Sequence, residues 1–350
     1  MSWEQLAGLP LEVEGYRLEV LSAPPAGDWE PGTTLITLFG DGFEGAGEDV
    51  TPFAENRDPF VAAGPYLELA GSWTLETFLA HLATLDQWRA KPAPWDMALR
   101  WRNWAFESAA LDLALCQAGL ALHEALDRQP APLTFVNSLG LGDPPSIDTI
   151  LRRIERYPSV GFKLDAAPTW TPEILSALAA TGMVRTIDFK GRYGFEVADA
   201  DALGVLYDAV LETFPAEVIL EDPHAEMMDR LADVMDRVSF DAPITRAADI
   251  TTRTINVKPS RIGSLRALLE IYDHCARHGI RMYGGGMGEL GIARGQIELL
   301  ASLWHPDTPN DVAPSAFNRA DPPPGLPTSP LDPGDPPPGF RLSAVPARAR

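Results

Sequence analysis

The sequence predicts an α/β protein built around a parallel barrel, with a mixed α and β region before it. Seven short apolar segments alternate with helix-length segments, at residues 133–139, 160–165, 185–191, 217–222, 237–241, 254–259 and 281–286. Near-continuous apolar strands are typical of parallel sheets whose faces are covered by helices. The count favours a closed barrel. An open doubly wound sheet is the alternative, although no Gly-x-Gly-x-x-Gly follows the first strand to form a dinucleotide site.

Length and charge restrict the function further. The 350 residues suffice for two domains, and 28 basic against 49 acidic residues give a net charge of −21. This acidity excludes nucleic acid as a partner and disfavours anionic membranes. No apolar run is long enough to span a bilayer and no leader segment is evident, so we expect a cytoplasmic protein. A negatively charged substrate would need a local cation to bind.

The elements before the barrel predict a first domain over residues 1–130. Alternating residues 16–20 and 34–39 predict strands, with a turn at 40–42 and a third extended segment at 45–48. The Pro/Gly-rich segment 50–75 predicts a flexible loop. Thr74 predicts the start of one helix, and residues 95–126 contain a long amphipathic helix.

The barrel is predicted over residues 131–318, and a proline-rich tail follows over 319–350. Ten of the 33 prolines lie in the last 30 residues. Such a segment is extended and cannot form a barrel element. The tail therefore either wraps the body of the protein or stays mobile.

Charged side chains stand where the predicted strands end. Asp188, Glu221 and Asp241 end the third, fourth and fifth strands, and Lys258 ends the sixth. The carboxyl ends of parallel strands meet at one mouth, where barrel active sites lie. Three converging carboxylates indicate a hard cation such as Mg²⁺. The simpler interpretation is that each acid caps the helix that follows it. This interpretation accounts for any single acid, but it accounts less well for all three together.

With these residues in place, the chain resembles the enolase superfamily, most closely its muconate-lactonising subgroup. The segment TINVKPSRIGSL carries Lys258, LEDP carries Glu221 and TIDFKG carries Asp188. The segment YGGGMGELGIARGQ matches the glycine-rich segment after the seventh strand. Residues 42–48 and 106–115 match the capping domain of the superfamily. The resemblance covers the chain to about residue 318.

The resemblance implies a (β/α)7β barrel with an α+β capping domain. It implies abstraction of the proton α to a substrate carboxylate through an enediolate held by Mg²⁺, with Mn²⁺ as a second choice. Asp188, Glu221 and Asp241 would be the metal ligands and Lys258 the general base. Lyase, cycloisomerase and epimerase reactions all fit. A small anionic substrate and a homo-oligomer are expected.

Two departures from the superfamily pattern concern the second acid/base. The usual Lys-x-Lys of the second strand is Lys163 followed by Asp165, and the usual Asp-x-Asn of the third strand is Asp188 followed by Lys190. Residues two apart face the same side of a strand. Two hypotheses stay open: Lys190 is a second acid/base that Asp165 positions, or the two form an ion pair without proton transfer. A reaction that uses Lys258 as its only base is affected least by these two departures. Lys163 would lie near the substrate carboxylate.

Further site residues are predicted from their positions in loops. The fifth-strand ligand is Asp241, because Asp249 leaves too few residues before Lys258 for a helix and a strand. Glu289 would reach the substrate or Lys258, or cap the helix after it. Glu48 would line the site from the capping domain together with the 50–75 loop, or lie at the surface.

Three weaker candidates lie in loops after strands. His224 directly follows LEDP and is a substrate-binding candidate. Arg192 and Tyr193 follow the third strand, where a solvated loop is the simpler interpretation.

Two rival functions remain. A family member that kept its metal but lost turnover would serve as a binding protein, which Asp165 in place of a lysine supports. A phosphate-binding barrel would use a glycine-rich loop, for which residues 284–286 are a weak candidate.

Overall fold

The computed structural model describes residues 1–23, 31–192 and 200–343. Tyr193 and the last seven residues of the predicted tail lie outside these ranges. The elements before the barrel are α1 (Ser2–Leu6), β1 (Pro10–Val13), β2 (Gly15–Ser22), β3 (Gly32–Gly40), β4 (Phe43–Asp49), α2 (Ala54–Ala63), β5 (Gly71–Thr74), α3 (Leu75–Leu82), α4 (Asp96–Ala118) and α5 (Leu122–Ala125).

The barrel strands are β6 (Val136–Leu139), β7 (Gly161–Asp165), β8 (Val184–Asp188), β9 (Ile219–Glu221), β10 (Val238–Phe240), β11 (Thr254–Val257) and β12 (Arg281–Gly284). The helices are α6 (Asp148–Arg156), α7 (Pro172–Ala180), α8 (Ala200–Thr213), α9 (Pro259–Ile262), α10 (Leu265–His278) and α11 (Ile292–Trp304). Short 3₁₀ helices cover Ala225–Arg237, Ala247–Asp249 and Ser315–Asn318. In the described residues, no helix is both long and apolar enough to cross a bilayer.

Strands β2, β3 and β4 form an antiparallel sheet against which α4 packs. The predicted turn between β3 and β4 is confirmed, with left-handed backbone at Asp41 and Gly42. A Cβ at Gly45 would lie 2.1 Å from the backbone nitrogen of Leu113. A Cβ at Gly47 would lie 2.0 Å from the Ala105 carbonyl. The glycines of GFEGAGE therefore permit the close approach of α4 to the sheet.

The predicted loop over residues 50–75 is wrong, since the segment contains α2 and β5. Phe60 of α2 is fully buried, and the Arg102 guanidinium lies 3.8 Å from the centre of its ring. Pro59 lacks the N–H that would bond the Glu55 carbonyl, and that oxygen accepts from Lys91 Nζ instead, at 2.5 Å. Packing and this substitute bond therefore override the local Pro/Gly composition.

The seven barrel strands are parallel and stand in chain order from β6 to β12. The predicted parallel sheet is confirmed, and the sequential order rules out a doubly wound arrangement. Beyond the edge strands, Asn310 bridges to Phe135 and Asp311 bridges to Gly285, both in parallel. The segment at 310–311 thus lies between the first and last strands of the sheet.

Asn310 is held in this gap by its side chain. Its Oδ1 accepts from the Gly284 nitrogen at 2.6 Å, and its Nδ2 donates to the Thr134 carbonyl at 2.9 Å. His305 Nδ1 lies 2.6 Å from the same Oδ1, so this nitrogen carries the proton. One amide side chain therefore joins the two edges of the sheet.

The described part of the tail lies against the body. The backbone of Leu331 pairs with Leu133, and Gly339 bonds to Leu120 and Leu122. Phe340 is fully buried, and the Arg341 guanidinium pairs with the buried carboxylate of Asp112. The tail thus connects the start of the barrel with α4.

Candidate active site

Three acidic side chains lie side by side at the mouth of the barrel. Asp165, Asp188 and Glu221 end β7, β8 and β9, and the strand register pairs Asp165 with Asp188 and Asp188 with Glu221. Asp188 and Glu221 are completely buried. Three predicted site residues are therefore brought together by strand pairing alone.

Lys163 provides the positive charge at the centre of this group. Its Nζ lies 2.5 Å from Glu221 Oε1, 3.1 Å from Asp188 Oδ2 and 3.5 Å from Asp311 Oδ2. Burial opposes a charge here, but the carboxylates outweigh it and raise the pKa of Lys163 well above its usual value. Lys163 is thus a fixed ammonium group that balances buried acids.

Lys258 and Asp241 form a second buried pair at the ends of β11 and β10. Lys258 Nζ lies 2.5 Å from Asp241 Oδ2, and Arg261 Nε lies 3.1 Å from Asp241 Oδ1. Although burial opposes ionisation, Lys258 and Arg261 lower the pKa of Asp241. Gly285 leaves room for this lysine, because a Cβ there would lie 2.6 Å from Lys258 Cε.

Lys190 reaches the site by a different path from the predicted strand. Strand β8 ends at Asp188, and Lys190 has left-handed backbone with φ of 55°. Its backbone nitrogen donates to Asp188 Oδ1 at 2.9 Å. Its Nζ lies 2.5 Å from Asp188 Oδ2 and 3.0 Å from Asp165 Oδ1. The side chain therefore joins the site through the turn and not through strand alternation.

Glu221, Asp222 and Asp241 form a compact group of carboxylates, in which one oxygen from each residue lies within 4.8 Å of the others. Asp222 accepts from the backbone nitrogens of Asp241 and Ala242 at 2.9 and 3.1 Å. Burial, then the charges of Asp241 and Glu221, raise the pKa of Asp222 to about 7. Asp249 lies elsewhere, accepting bonds from the backbone of Thr245 and Arg246.

Neutral and charged residues that the sequence analysis did not select complete the surroundings of Glu221. The Tyr283 hydroxyl donates to Glu221 Oε2 at 2.6 Å, and Asn256 Nδ2 donates to Glu221 Oε1 at 3.1 Å. Asn256 lies two residues before Lys258, so strand alternation could have identified it. Asp311 carried no local signal, because its position depends on where the 310–311 segment closes the sheet.

Glu48 is completely buried, so the alternative of a surface position is wrong. Its carboxylate accepts from the backbone nitrogens of Leu290 and Gly291, at 2.5 and 2.9 Å, and from the Thr33 hydroxyl at 2.7 Å. Burial raises the pKa of Glu48. Glu48 therefore connects β4 to the loop before α11.

Glu289 is also buried, but it bonds within its own loop. Its carboxylate accepts from the Met287 nitrogen at 2.9 Å and from the Ser260 hydroxyl at 3.4 Å. Arg294 Nη2 lies 3.5 Å from its Oε2. Gly291 precedes α11 and no side chain caps the helix there, so the alternative of Glu289 as the helix cap is wrong.

His224 packs behind the loop after β8. Its Nδ1 lies 3.1 Å from the Tyr207 hydroxyl, which also accepts from the His224 backbone nitrogen at 2.9 Å. Burial lowers the pKa of His224. The ring is thus held against α8, while the acids and lysines meet on the inner side of the strands.

Two family models match this chain: Domain of unknown function (DUF8230) N-terminal domain over residues 4–125 and its C-terminal domain over residues 129–319. The chain belongs to the DUF8230 family. Among curated relatives, o-succinylbenzoate synthase of Bacillus subtilis (strain 168) is 30% identical over 224 residues, which is 60% of the DUF8230 chain and 58% of the relative. N-succinylamino acid racemase of Thermus thermophilus is 27% identical over 295 residues, which is 80% of the DUF8230 chain and 77% of the racemase.

Solved structures share the DUF8230 fold. An enolase-superfamily member from Listeria innocua superposes with a TM-score of 0.62 at 19% identity, covering 87% of the DUF8230 chain and 86% of the other. A dipeptide epimerase from Methylococcus capsulatus, complexed with Mg ion, superposes with a TM-score of 0.65 at 21% identity. The match covers 86% of the DUF8230 chain and 89% of the epimerase. The predicted resemblance to enolase-superfamily proteins is confirmed, as is an α/β barrel-like fold with a capping domain.

The donor set of this DUF8230 site suits a hard divalent cation. Asp188, Glu221, Asp222 and Asp241 are all buried, and they offer only oxygen atoms. Buried carboxylates at this density need compensating positive charge. Here the ammonium groups of Lys163 and Lys258 supply part of it.

Proposed function

We propose that this protein is a metal-dependent enzyme that removes the proton α to the carboxylate of a small substrate. The observation that carries the proposal is the buried Lys258, which stands beside Asp241 at the mouth where the acids of β8, β9 and β10 converge. A lysine held within reach of a substrate can take the proton from carbon. The curated relatives named above act on carboxylate compounds, which supports this substrate class.

We propose Asp188, Glu221 and Asp241 as the residues that hold Mg²⁺ or Mn²⁺. Asp222 would support them, since both its oxygens accept backbone N–H groups that fix the loop after Asp241. The bound cation would stabilise the charge that develops on the substrate carboxylate oxygens. Calorimetric Mg²⁺ titration tests the assignment. Asp188→Asn should weaken binding more than Asp222→Asn, and the reverse order would exchange the two roles.

Each side chain then has a defined task. Lys258 accepts the α-proton, and an enediolate of the substrate results. Lys163 contributes a fixed positive charge near the substrate carboxylate, and Tyr283 and Asn256 hold Glu221 in place by hydrogen bonds. Lyase, cycloisomerase and epimerase reactions all begin with this step. Because Lys190 is paired with two carboxylates, a reaction that uses Lys258 as its only base fits the site best.

Solvent deuterium exchange tests the function directly. The protein is incubated with Mg²⁺ in D₂O with acid sugars, N-acyl amino acids and dipeptides, and exchange is followed by NMR. Lys258→Ala should abolish exchange, because the base is gone. Arg253→Ala is the control, since Arg253 is exposed near the opposite end of the same strand. Exchange that persists in Lys258→Ala would contradict the proposed base.

The second candidate is a binding protein that has lost turnover, favoured by Asp165 in the place of a lysine. It predicts Mg²⁺-dependent binding of carboxylates without exchange of any of them.

We further propose a (β/α)7β barrel, supported by the bridges at Asn310 and Asp311, with a capping domain over 1–130, a barrel over 131–318 and a tail over 319–350. The homo-oligomer and the cytoplasmic location stay predictions.

A further inference from the structure

A small polar cavity of about 150 Å³ lies beside the candidate site, between the ends of β6 and β12. Its lining includes Ser138, Gly286, Gly288, Arg294, Asp311 and Asn318. Asp311 connects the cavity to the site, because its Oδ2 lies 3.5 Å from Lys163 Nζ. A substrate held at Lys163 would therefore have one end next to this cavity.

Arg294 is the cation in the cavity wall, and it is only 8% exposed. Its Nη2 contacts Glu289 at long distance, 3.4 Å from the carbonyl oxygen and 3.5 Å from Oε2. Its Nε is buried and, within the described residues, has no hydrogen-bond acceptor. A buried N–H without an acceptor is unfavourable, and such groups in native proteins are normally paired. The cavity wall thus contains an N–H donor that an acceptor atom of a bound ligand would satisfy.

The charges around the cavity limit what that acceptor can be. Arg294 faces Glu289. Lys163 faces Asp311, but its charge is already shared with Glu221 and Asp188, so these groups together leave no excess positive charge. A single additional negative charge is tolerated better in this setting than the two of a phosphate. Pockets that hold a whole ligand are roughly 300–1,000 Å³, so this cavity suits one end of a molecule.

We propose that Arg294 binds a second, non-reacting carboxylate of the substrate, which makes this protein selective for dicarboxylates. The inference rests on the proposed function for the placement of the reacting carboxylate. A planar guanidinium matches a carboxylate in geometry, and the side chains of Ser138 and Asn318 add neutral donors to the same lining.

The test compares two probes that differ only in the distal charge: N-succinyl-L-phenylalanine and its neutral N-succinamoyl counterpart. Binding to the full-length protein is measured by calorimetry with saturating Mg²⁺. The unmodified protein should bind the succinyl probe at least tenfold more tightly. Arg294→Met should remove this preference, and Arg294→Lys should keep part of it. Arg185→Met, at the opposite end of the barrel, should leave it unchanged.

Equal affinities of the unmodified protein for the two probes would overturn the inference, as would a preference that survives in Arg294→Met. If Arg294→Met does not fold, Ser138→Leu decides, since it fills the cavity without touching the arginine charge. It should remove the preference, and an unchanged preference would overturn the inference. Selective binding without deuterium exchange would contradict the proposed catalysis and leave the dicarboxylate site intact.

Discussion

The Nζ of Lys190 lies 3.0 Å from Oδ1 of Asp165 and 2.5 Å from Oδ2 of Asp188. Burial opposes its charge and Lys163 repels it, yet the surrounding carboxylates raise the pKa of Lys190. An ammonium group between two carboxylates is a poor proton acceptor. This arrangement favours the ion-pair hypothesis over a second acid/base.

We therefore expect Lys190→Met to slow deuterium exchange by less than about tenfold, whereas loss of a true acid/base costs roughly 10²–10⁴-fold. Both enantiomers of each exchanging substrate are compared by NMR. Lys190→Arg keeps the charge and serves as the control. A loss for one enantiomer as large as that in Lys258→Ala would instead establish Lys190 as the second acid/base.

Gly285→Ala should impair catalysis by displacing the base. The new Cβ would lie 2.6 Å from both Lys258 Cε and Asn256 Oδ1, so the lysine has to move. We expect exchange to fall at least tenfold, with a stability loss of about 1–3 kcal/mol from overpacking. Thermal unfolding and exchange rates are measured together. Gly8→Ala is the control, because a Cβ there meets nothing within 4 Å. Full activity of Gly285→Ala would show that the lysine has spare room.

Arg341→Met should destabilise the protein by leaving Asp112 without its cation. Asp112 is completely buried, and its remaining acceptor bonds come from the backbone nitrogens of Ala46 and Phe340. Loss of one partner of a buried pair costs about 3–5 kcal/mol. Urea unfolding measures the loss, and Asp112→Asn in the same background should recover part of it. Unchanged stability would mean that the tail contributes nothing through this pair.

His305 should make the fold sensitive to acid. Burial lowers its pKa to about 4 from an ordinary 6.5, so the folded protein holds it neutral. Its contribution is present above pH 6.5 and is lost as the pH falls toward 4, by roughly 3 kcal/mol in total. His305→Asn should flatten this part of the stability profile between pH 7 and pH 4. An unaltered slope in the variant would assign the acid sensitivity to other groups.

Much of the site could be predicted because it depends on local signals. Asp188, Glu221 and Asp241 each end an apolar strand, and parallel strands in chain order bring such ends together. Lys258 follows the same rule. The roles of Asp222, Tyr283 and Asp311 could not be predicted, because each depends on a partner from another strand.

The sequence by itself determined the parallel sheet and the strand ends that carry charge, and the motifs at those ends carry the resemblance to the enolase superfamily. These features depend on hydrophobic periodicity and on residues close together in the chain. Tertiary structure alone decided that residues 54–63 form a helix around the buried Phe60, that Glu48 bonds the loop at Leu290, and that Lys190 reaches Asp165 through a left-handed turn. The physical reason is that burial and hydrogen bonding between distant segments outweigh the local preference for a secondary structure. Both depend on which segments are neighbours in the folded protein.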